Sequence, residues 1–256
     1  MDILDKSTDP RLYYRIVKQV LVIPARMGGS RLPGKPLIHI NGKPMIFHVW
    51  QRCLKIFPAE HIYVATEDQV IVEYCNQNGI NVVNTGPANS AIDRLKLFSD
   101  VISADSYLNV QGDEPIINPE DISTIANYAK NFPERVVFGK APASEHEFND
   151  ASKAKVVCAL DGKLLYSSRA GIPLTPKGKF LKAERAIWIY AFPKKALDLY
   201  FASDKLTSLD KIEDNEIIRF LEIGVEVYCT NVIGNSWAVD EPKDLAIIES
   251  KLKESQ

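Results

Sequence analysis

Apolar positions along this chain recur at two periods, and the two alternate. A short continuous apolar run, Val20–Ile23, reads as a strand buried on both faces. Between Pro44 and Phe57 the apolar residues fall at helical spacing (Met45 and Val49; Ile46, Trp50 and Leu54), with Pro44 as the first helical residue. His48 and Trp50 read as packing residues of that helix. Ile62–Thr66 predicts a strand, Asp68–Asn78 a helix stopped by Gly79, and Ile80–Val83 a further strand. After a turn-rich loop, Asn84–Asn89, Ser90 is placed to cap a helix beginning near Ala91. Ser106–Gln111 reads as a strand, Pro119 opens a helix to about Asn131, and Arg135–Gly139 is strand-like. This β–α alternation predicts a layered α/β domain with a mainly parallel sheet, in which ligands sit beyond the carboxyl ends of strands.

The pattern changes near Glu145. Ala154–Leu160 and Lys163–Ser167 flank Asp161-Gly162, a tight-turn signal that predicts a β-hairpin. Leu174–Lys182 reads as a basic loop and Ala186–Phe192 as an apolar strand. Helices follow near Lys194–Ala202 and Asp214–Ile223, then a strand, Val225–Asn231, and an amphipathic helix, Pro242–Lys253. Ahead of the first strand, residues 1–18 are polar with a small apolar cluster (Leu12, Tyr13, Ile16, Val17), which predicts an extra turn or helix. Without repeats or a linker, the chain reads as one domain, 1–256.

Charge sharpens this outline. The net charge over 256 residues is −2, which argues against nucleic acid as a partner, and no apolar run reaches the length of a membrane span. The four cysteines (Cys53, Cys75, Cys158, Cys229) are widely separated, which points to a reducing, cytoplasmic setting without a zinc site or disulfide framework. Yet no acidic residue occurs between Pro10 and Ala59. That stretch contains the loop after the first strand, where Arg26, Arg31, Lys35 and Lys43 accompany Gly28, Gly29 and Ser30. Glycines allow close backbone approach and fixed cations neutralise oxygens, so the loop suits a phosphate, although such a loop can equally be a solvated connection. It is neither a P-loop nor a dinucleotide fingerprint, since Lys35 precedes Pro36 and no G-x-G-x-x-G is present.

The run IPARMGGSRLPGKPL at 23–37, followed by INGKPMIFHV, resembles the N-terminal signature of the cytidylyltransferases that activate 3-deoxy-manno-octulosonate (Kdo). NVQGDEPII at 109–117, the stretch 148–173 and AVDEPKDL at 238–245 resemble that family in the same order. The resemblance implies a mainly parallel, Rossmann-like nucleotidyltransferase sheet flanked by helices. It also implies a smaller β-hairpin-containing appendage, about 145–190, for dimerisation and as a lid over the sugar. The implied reaction joins CTP to an acidic 3-deoxy sugar, giving the CMP-sugar and pyrophosphate for lipopolysaccharide biosynthesis, with Mg²⁺ as cofactor and a homodimer as the assembly.

By the same resemblance, Arg26, Arg31 and Lys35 contact the triphosphate, and Pro24, Ala25, Gly28, Gly29 and Ser30 line it. Asp113 and Asp240 are the expected metal ligands; they lie 127 positions apart, and taken singly each reads as a turn or cap residue. Gln111 faces the substrates, Arg94 borders the nucleotide, Arg169 is directed at anionic groups and Glu216 lies near the sugar. The expected catalytic set is Arg26, Lys35, Asp113 and Arg169.

The sequence departs from the family pattern on the sugar side. S-G-T-D-R reads Ser90-Ala91-Ile92-Asp93-Arg94, H-x-G-I-Y reads Ala186-Ile187-Trp188-Ile189-Tyr190, and E-Q-L-R reads Glu216-Ile217-Ile218-Arg219. Loss of polar groups there predicts a sugar other than plain Kdo: a substituted Kdo, or a nine-carbon (nonulosonic) acid. A catalytically idle nucleotide-binding paralogue is the alternative from another class.

Overall fold

A computed structural model describes residues 18–29, 32–203 and 207–254. The extra element expected within 1–18 lies outside these residues except for Lys18. In chain order the elements are β1 (Gln19–Pro24), β2 (His39–Ile40), β3 (Lys43–Pro44), α1 (Met45–Cys53), β4 (Ile62–Thr66), α2 (Gln69–Gln77) and β5 (Asn81–Asn84). Then come α3 (Ala91–Val101), β6 (Ser106–Val110), α4 (Pro119–Asn131), β7 (Val136–Ala143), α5 (Glu145–Asn149), β8 (Lys155–Cys158), β9 (Leu164–Ser168) and β10 (Ala183–Phe192). The chain closes with α6 (Lys194–Ala202), α7 (Leu209–Ile212), α8 (Ile217–Glu222), β11 (Val227–Asn231) and α9 (Pro242–Glu254).

Local signals set most boundaries. Ser90 accepts a hydrogen bond from the Asp93 N–H and starts α3, and Asn118 does the same for the Glu120 N–H ahead of α4. Gly79, at φ +67°, ends α2. Pro44 is a correction: it closes the β2–β3 hairpin and precedes the helix, which starts at Met45 and ends at Cys53, short of Phe57. That hairpin turns on Asn41-Gly42, both at positive φ, and went unpredicted despite its Asn-Gly signal. The short α5 was also missed, although Ser144 and Glu147 form a capping box. The helix expected from Asp214 starts at Ile217, because Asp214 adopts positive φ and breaks it.

The main sheet runs β11-β7-β10-β6-β1-β4-β5. Every pairing among β6, β1, β4 and β5 is parallel, as is β11 with β7, while β10 runs antiparallel between β6 and β7. The sheet is therefore mainly parallel with one reversed strand. The hairpin β8–β9 extends this sheet through β10.

Alternation along β1 sends Leu21 and Ile23 to one face and Val20 and Val22 to the other, and each face builds a core. The first packs Ile46 and Val49 of α1, Ile71 of α2 and Ile122 and Ile125 of α4; the second packs Leu95 and Phe98 of α3, Leu197 of α6 and Phe220 of α8. A third, smaller cluster joins Ile40 and Met45 to Val239, Ile248 and Leu252, seating α9 beside the β2–β3 hairpin. With helices on both faces, the rim at the carboxyl ends of the parallel strands is left for ligands.

Candidate active site

A cavity of about 750 Å³ opens at that rim. The loops after β1 and β6 meet there. Gly112 lies so close to the Pro24 carbonyl that a Cβ would approach its oxygen to 2.6 Å, so only glycine fits between the two loops. The β1 loop is folded back on itself: the Met27 carbonyl accepts hydrogen bonds from the N–H groups of Gly29 and Gly34, and the Met27 N–H donates to the Asp68 carboxylate at 2.7 Å.

The segment after β11 crosses the sheet to reach the same place. Asp121 of α4 accepts from the Ile233 and Gly234 N–H groups, Arg185 donates to the Gly234 carbonyl, and the Val239 N–H donates to the Asp113 carbonyl at 2.9 Å. Asp244, in the first turn of α9, accepts from the Asp240 and Glu241 N–H groups and fixes the final turn. Asp113 and Asp240 are thereby brought to one ammonium: Lys35 Nζ lies 2.8 Å from Asp113 Oδ2 and 3.6 Å from Asp240 Oδ1.

Pro24, Ala25, Arg26, Gly29, Lys35, Gln111, Asp113 and Asp240 all border the cavity, as do Arg94, Arg169 and Glu216. Ser30 and Arg31 lie outside the described residues. Gly28 does not border it: a Cβ there would meet nothing within 4 Å, and the chain's closest approach falls one residue later, at Gly29.

Two of the predicted arginines, Arg94 and Arg169, have work already. Arg94 is buried and donates to Thr85 Oγ1, the Gly86 carbonyl and Glu67 Oε1. Arg169 donates to the carbonyls of Ser152, Glu213 and Asp214, at 2.7, 3.2 and 2.6 Å, so its fork joins the end of β9 to the α7–α8 turn while its side chain borders the cavity. Beneath it, Lys155 is fully buried and donates to the carbonyls of Asp150, Lys153 and Arg169, a role no sequence signal marks. Sequence reasoning also missed the buried pair Asp210–Arg219. Two guanidinium N–H groups of Arg219 reach Asp210 Oδ2, at 2.8 and 2.6 Å, while the ion stacks 4.1 Å from the Tyr200 ring centroid.

The sugar-side departures divide in two. Ile92, Ala186 and Ile217 are buried in the core that faces α3, α6 and α8, and do not border the cavity. Their apolar character therefore packs the protein and reads no ligand, which corrects the expectation attached to them. Ala91 and Trp188 do border it.

Two carboxyls are tuned by burial. Burial raises Glu216, the Ser90 hydroxyl and Ala91 N–H oppose that as donors, and the Asp93 charge adds to it. Glu114, directly after Asp113, is pushed up to about 7, by burial first; the nearby Ser236 hydroxyl opposes the rise and the Asp113 charge adds to it.

Fixed cations with two carboxylates at the ends of parallel strands define a nucleotide-handling α/β enzyme site. The comparisons make the class specific: residues 20–227 match the cytidylyltransferase family, and the chain belongs to it. It is 37% identical over 246 residues to 3-deoxy-manno-octulosonate cytidylyltransferase 2 of Hydrogenovibrio crunogenus, covering 92% of this chain and 98% of that one. It is 36% identical over 240 residues to 8-amino-3,8-dideoxy-manno-octulosonate cytidylyltransferase of Shewanella pealeana, covering 91% and 97%. Among solved structures it matches CMP:2-keto-3-deoxy-manno-octonic acid synthetase complexed with CTP, with a TM-score of 0.87 and 32% identity over 93% of this chain and all of that one.

Proposed function

We propose that this protein activates a Kdo-like 3-deoxy sugar acid with CTP. A sugar hydroxyl oxygen bonds to the α-phosphorus, the bond from that phosphorus to the β,γ-diphosphate breaks, and the hydroxyl proton is lost, giving the CMP-sugar and pyrophosphate. The observation that carries this is the meeting of Lys35 with Asp113 and Asp240 at the mouth of a cavity that also holds Arg26. In-line transfer asks mainly for positioning and charge neutralisation, and Arg26 and Lys35 are the cations placed for phosphate oxygens.

The carboxylate pair fits Mg²⁺. Both carboxylates reach one ammonium, that of Lys35, so two hard oxygen donors stand within reach of a single cation at the cavity. Asp113 and Asp240 would hold the Mg²⁺, and it would supply charge neutralisation on the triphosphate. The role of Arg169 is positioning: it fixes the turn that carries Asp214 and Glu216 against the sugar side.

A second copy is the expected partner. Leu160, Leu165, Leu174 and Leu181, on the hairpin and the basic loop after it, are all strongly exposed, apolar surface of the kind a homodimer would cover. Among the described residues no helix is long and apolar enough to cross a membrane, and the setting we propose is the cytoplasm.

The test is pyrophosphate release from CTP and Mg²⁺ over a panel of 3-deoxy-ulosonic acids. Release dependent on both sugar and metal is expected; silence across the panel while CTP still binds would contradict the reading.

A further inference from the structure

The corner between β4 and α2 holds the loops on both sides of it. On one side Glu67 Oε1 accepts from Arg94 at 3.2 Å, and the Thr66 carbonyl accepts from the Thr85 N–H at 2.8 Å, which fixes the start of α3 and the loop after β5. On the other side the Ala65 carbonyl accepts from the Ala25 N–H at 2.9 Å, and Asp68 Oδ2 accepts from the Met27 N–H at 2.7 Å. Arg26, exposed at the cavity, is thus carried between two anchored backbone groups. The turn that follows closes on the Met27 carbonyl, which accepts from the Gly34 N–H, and Lys35 comes next in the chain. Through Met27, Asp68 ties the backbone that carries both cations to the end of β4.

The carboxylate is not used where its position would place it. Asp68 is the N-cap residue of α2, and an aspartate there ordinarily accepts from the first N–H groups of its own helix. Its side chain makes no such cap bond. Instead the Asp68 N–H donates to Thr66 Oγ1 at 3.0 Å, and the carboxylate crosses to a loop 41 positions earlier. On charge alone, a carboxylate beside a triphosphate-binding loop repels the ligand. A bystander at this place would weaken CTP binding and an anchor would strengthen it, so the two roles carry opposite signs.

We propose that Asp68 is a positioning residue for the triphosphate: by holding the Met27 N–H it fixes the loop that presents Arg26 and Lys35 to CTP. The inference rests on the cytidylyltransferase reading above and adds to it a residue that touches no substrate. A loop held in its binding conformation loses less freedom when the ligand arrives, so the anchor acts on CTP affinity. Its effect passes through Arg26, the exposed residue between the two anchored N–H groups.

The experiment is calorimetric titration of CTP with Mg²⁺ into the wild type, Asp68→Ala, Asp68→Asn, Arg26→Ala and the double variant Asp68→Ala with Arg26→Ala, with a melting temperature recorded for each. Asp68→Ala should weaken CTP binding about tenfold. Asp68→Asn keeps an oxygen acceptor for the Met27 N–H and should stay within about threefold of the wild type. The double variant should bind little worse than Arg26→Ala, because the two residues act as one unit. Unchanged or tighter binding by folded Asp68→Ala, an Asn variant as weak as the Ala variant, or fully additive losses would overturn the inference while leaving the enzyme class standing. Should Asp68→Ala fail to fold, Asp68→Ser takes its place under the same expectations, since serine caps α2 but is one bond shorter toward Met27. No CTP binding by the wild type would overturn the class reading, and the inference with it.

Discussion

The two ends of the cavity use charge in opposite ways. At the phosphate end, Lys35, Asp113 and Asp240 keep 17%, 34% and 44% of their side-chain surface exposed, and they come from loops that follow parallel strands. At the sugar end, Arg94 and Arg219 are almost wholly buried, and they and Arg169 are bonded to carbonyls and carboxylates of the protein itself. Charged residues thus fall into two groups within one cavity: some stay accessible to a ligand, others are saturated by the protein and hold the wall in shape. Whether a cation is a binder depends on what its donors already touch, which sequence alone does not show.

The largest effect that this contrast predicts is on stability at the sugar end. Arg219→Met leaves Asp210 buried without its partner and should cost about 3–5 kcal/mol, read by urea unfolding. A loss under 1 kcal/mol would mean that the pair is no scaffold. At the phosphate end the effect should move to catalysis. Lys35→Met should lower kcat/KM roughly ten- to a hundredfold, the loss of one charge-assisted phosphate contact, with the melting temperature nearly unchanged. A folding defect of the size expected for Arg219 would erase the distinction.

The smallest effect lies beneath the phosphate end, at Glu114. Its folded value of about 7 stands above an ordinary carboxylate value of 4.5, so between those values the folded protein holds more of the proton than the unfolded chain. Stability contributed by the protonated form is present at low pH and is lost as pH rises toward 7. Glu114→Gln should remove that loss, gaining on the wild type by about 2 kcal/mol between pH 5 and pH 8 in metal-free buffer. Parallel stability curves would show that the buried carboxyl is compensated in some other way.

Much of the fold was legible because its signals are local. Ser90 as a cap, Pro119 as a first turn, Gly79 as a stop and the apolar run at 20–23 each act within a few residues, and each element formed where its signal lay. The reversed direction of β10 was not legible, because Ala186–Phe192 looks the same in either orientation. The family resemblance brought Asp113 and Asp240 together on paper; the structure adds the means, a hydrogen bond from Val239 to the Asp113 carbonyl and a helix seated on Ile40 and Met45. Ile92, Ala186 and Ile217 misled for a physical reason. Ile92 and Ile217 each sit one place from a cavity-lining neighbour, Ala91 and Glu216, and on a helix one place turns the side chain away, here into the core; Ala186, two places before Trp188 on β10, packs into that same core.

The central claim is that two distant aspartates and a basic glycine loop hold one magnesium-bound CTP, and calorimetric titration of CTP with and without Mg²⁺ tests it most directly. The account predicts that Mg²⁺ tightens CTP binding to the wild type at least about tenfold, and that Asp113→Asn and Asp240→Asn each abolish that gain. An undiminished Mg²⁺ effect in both folded variants would contradict it.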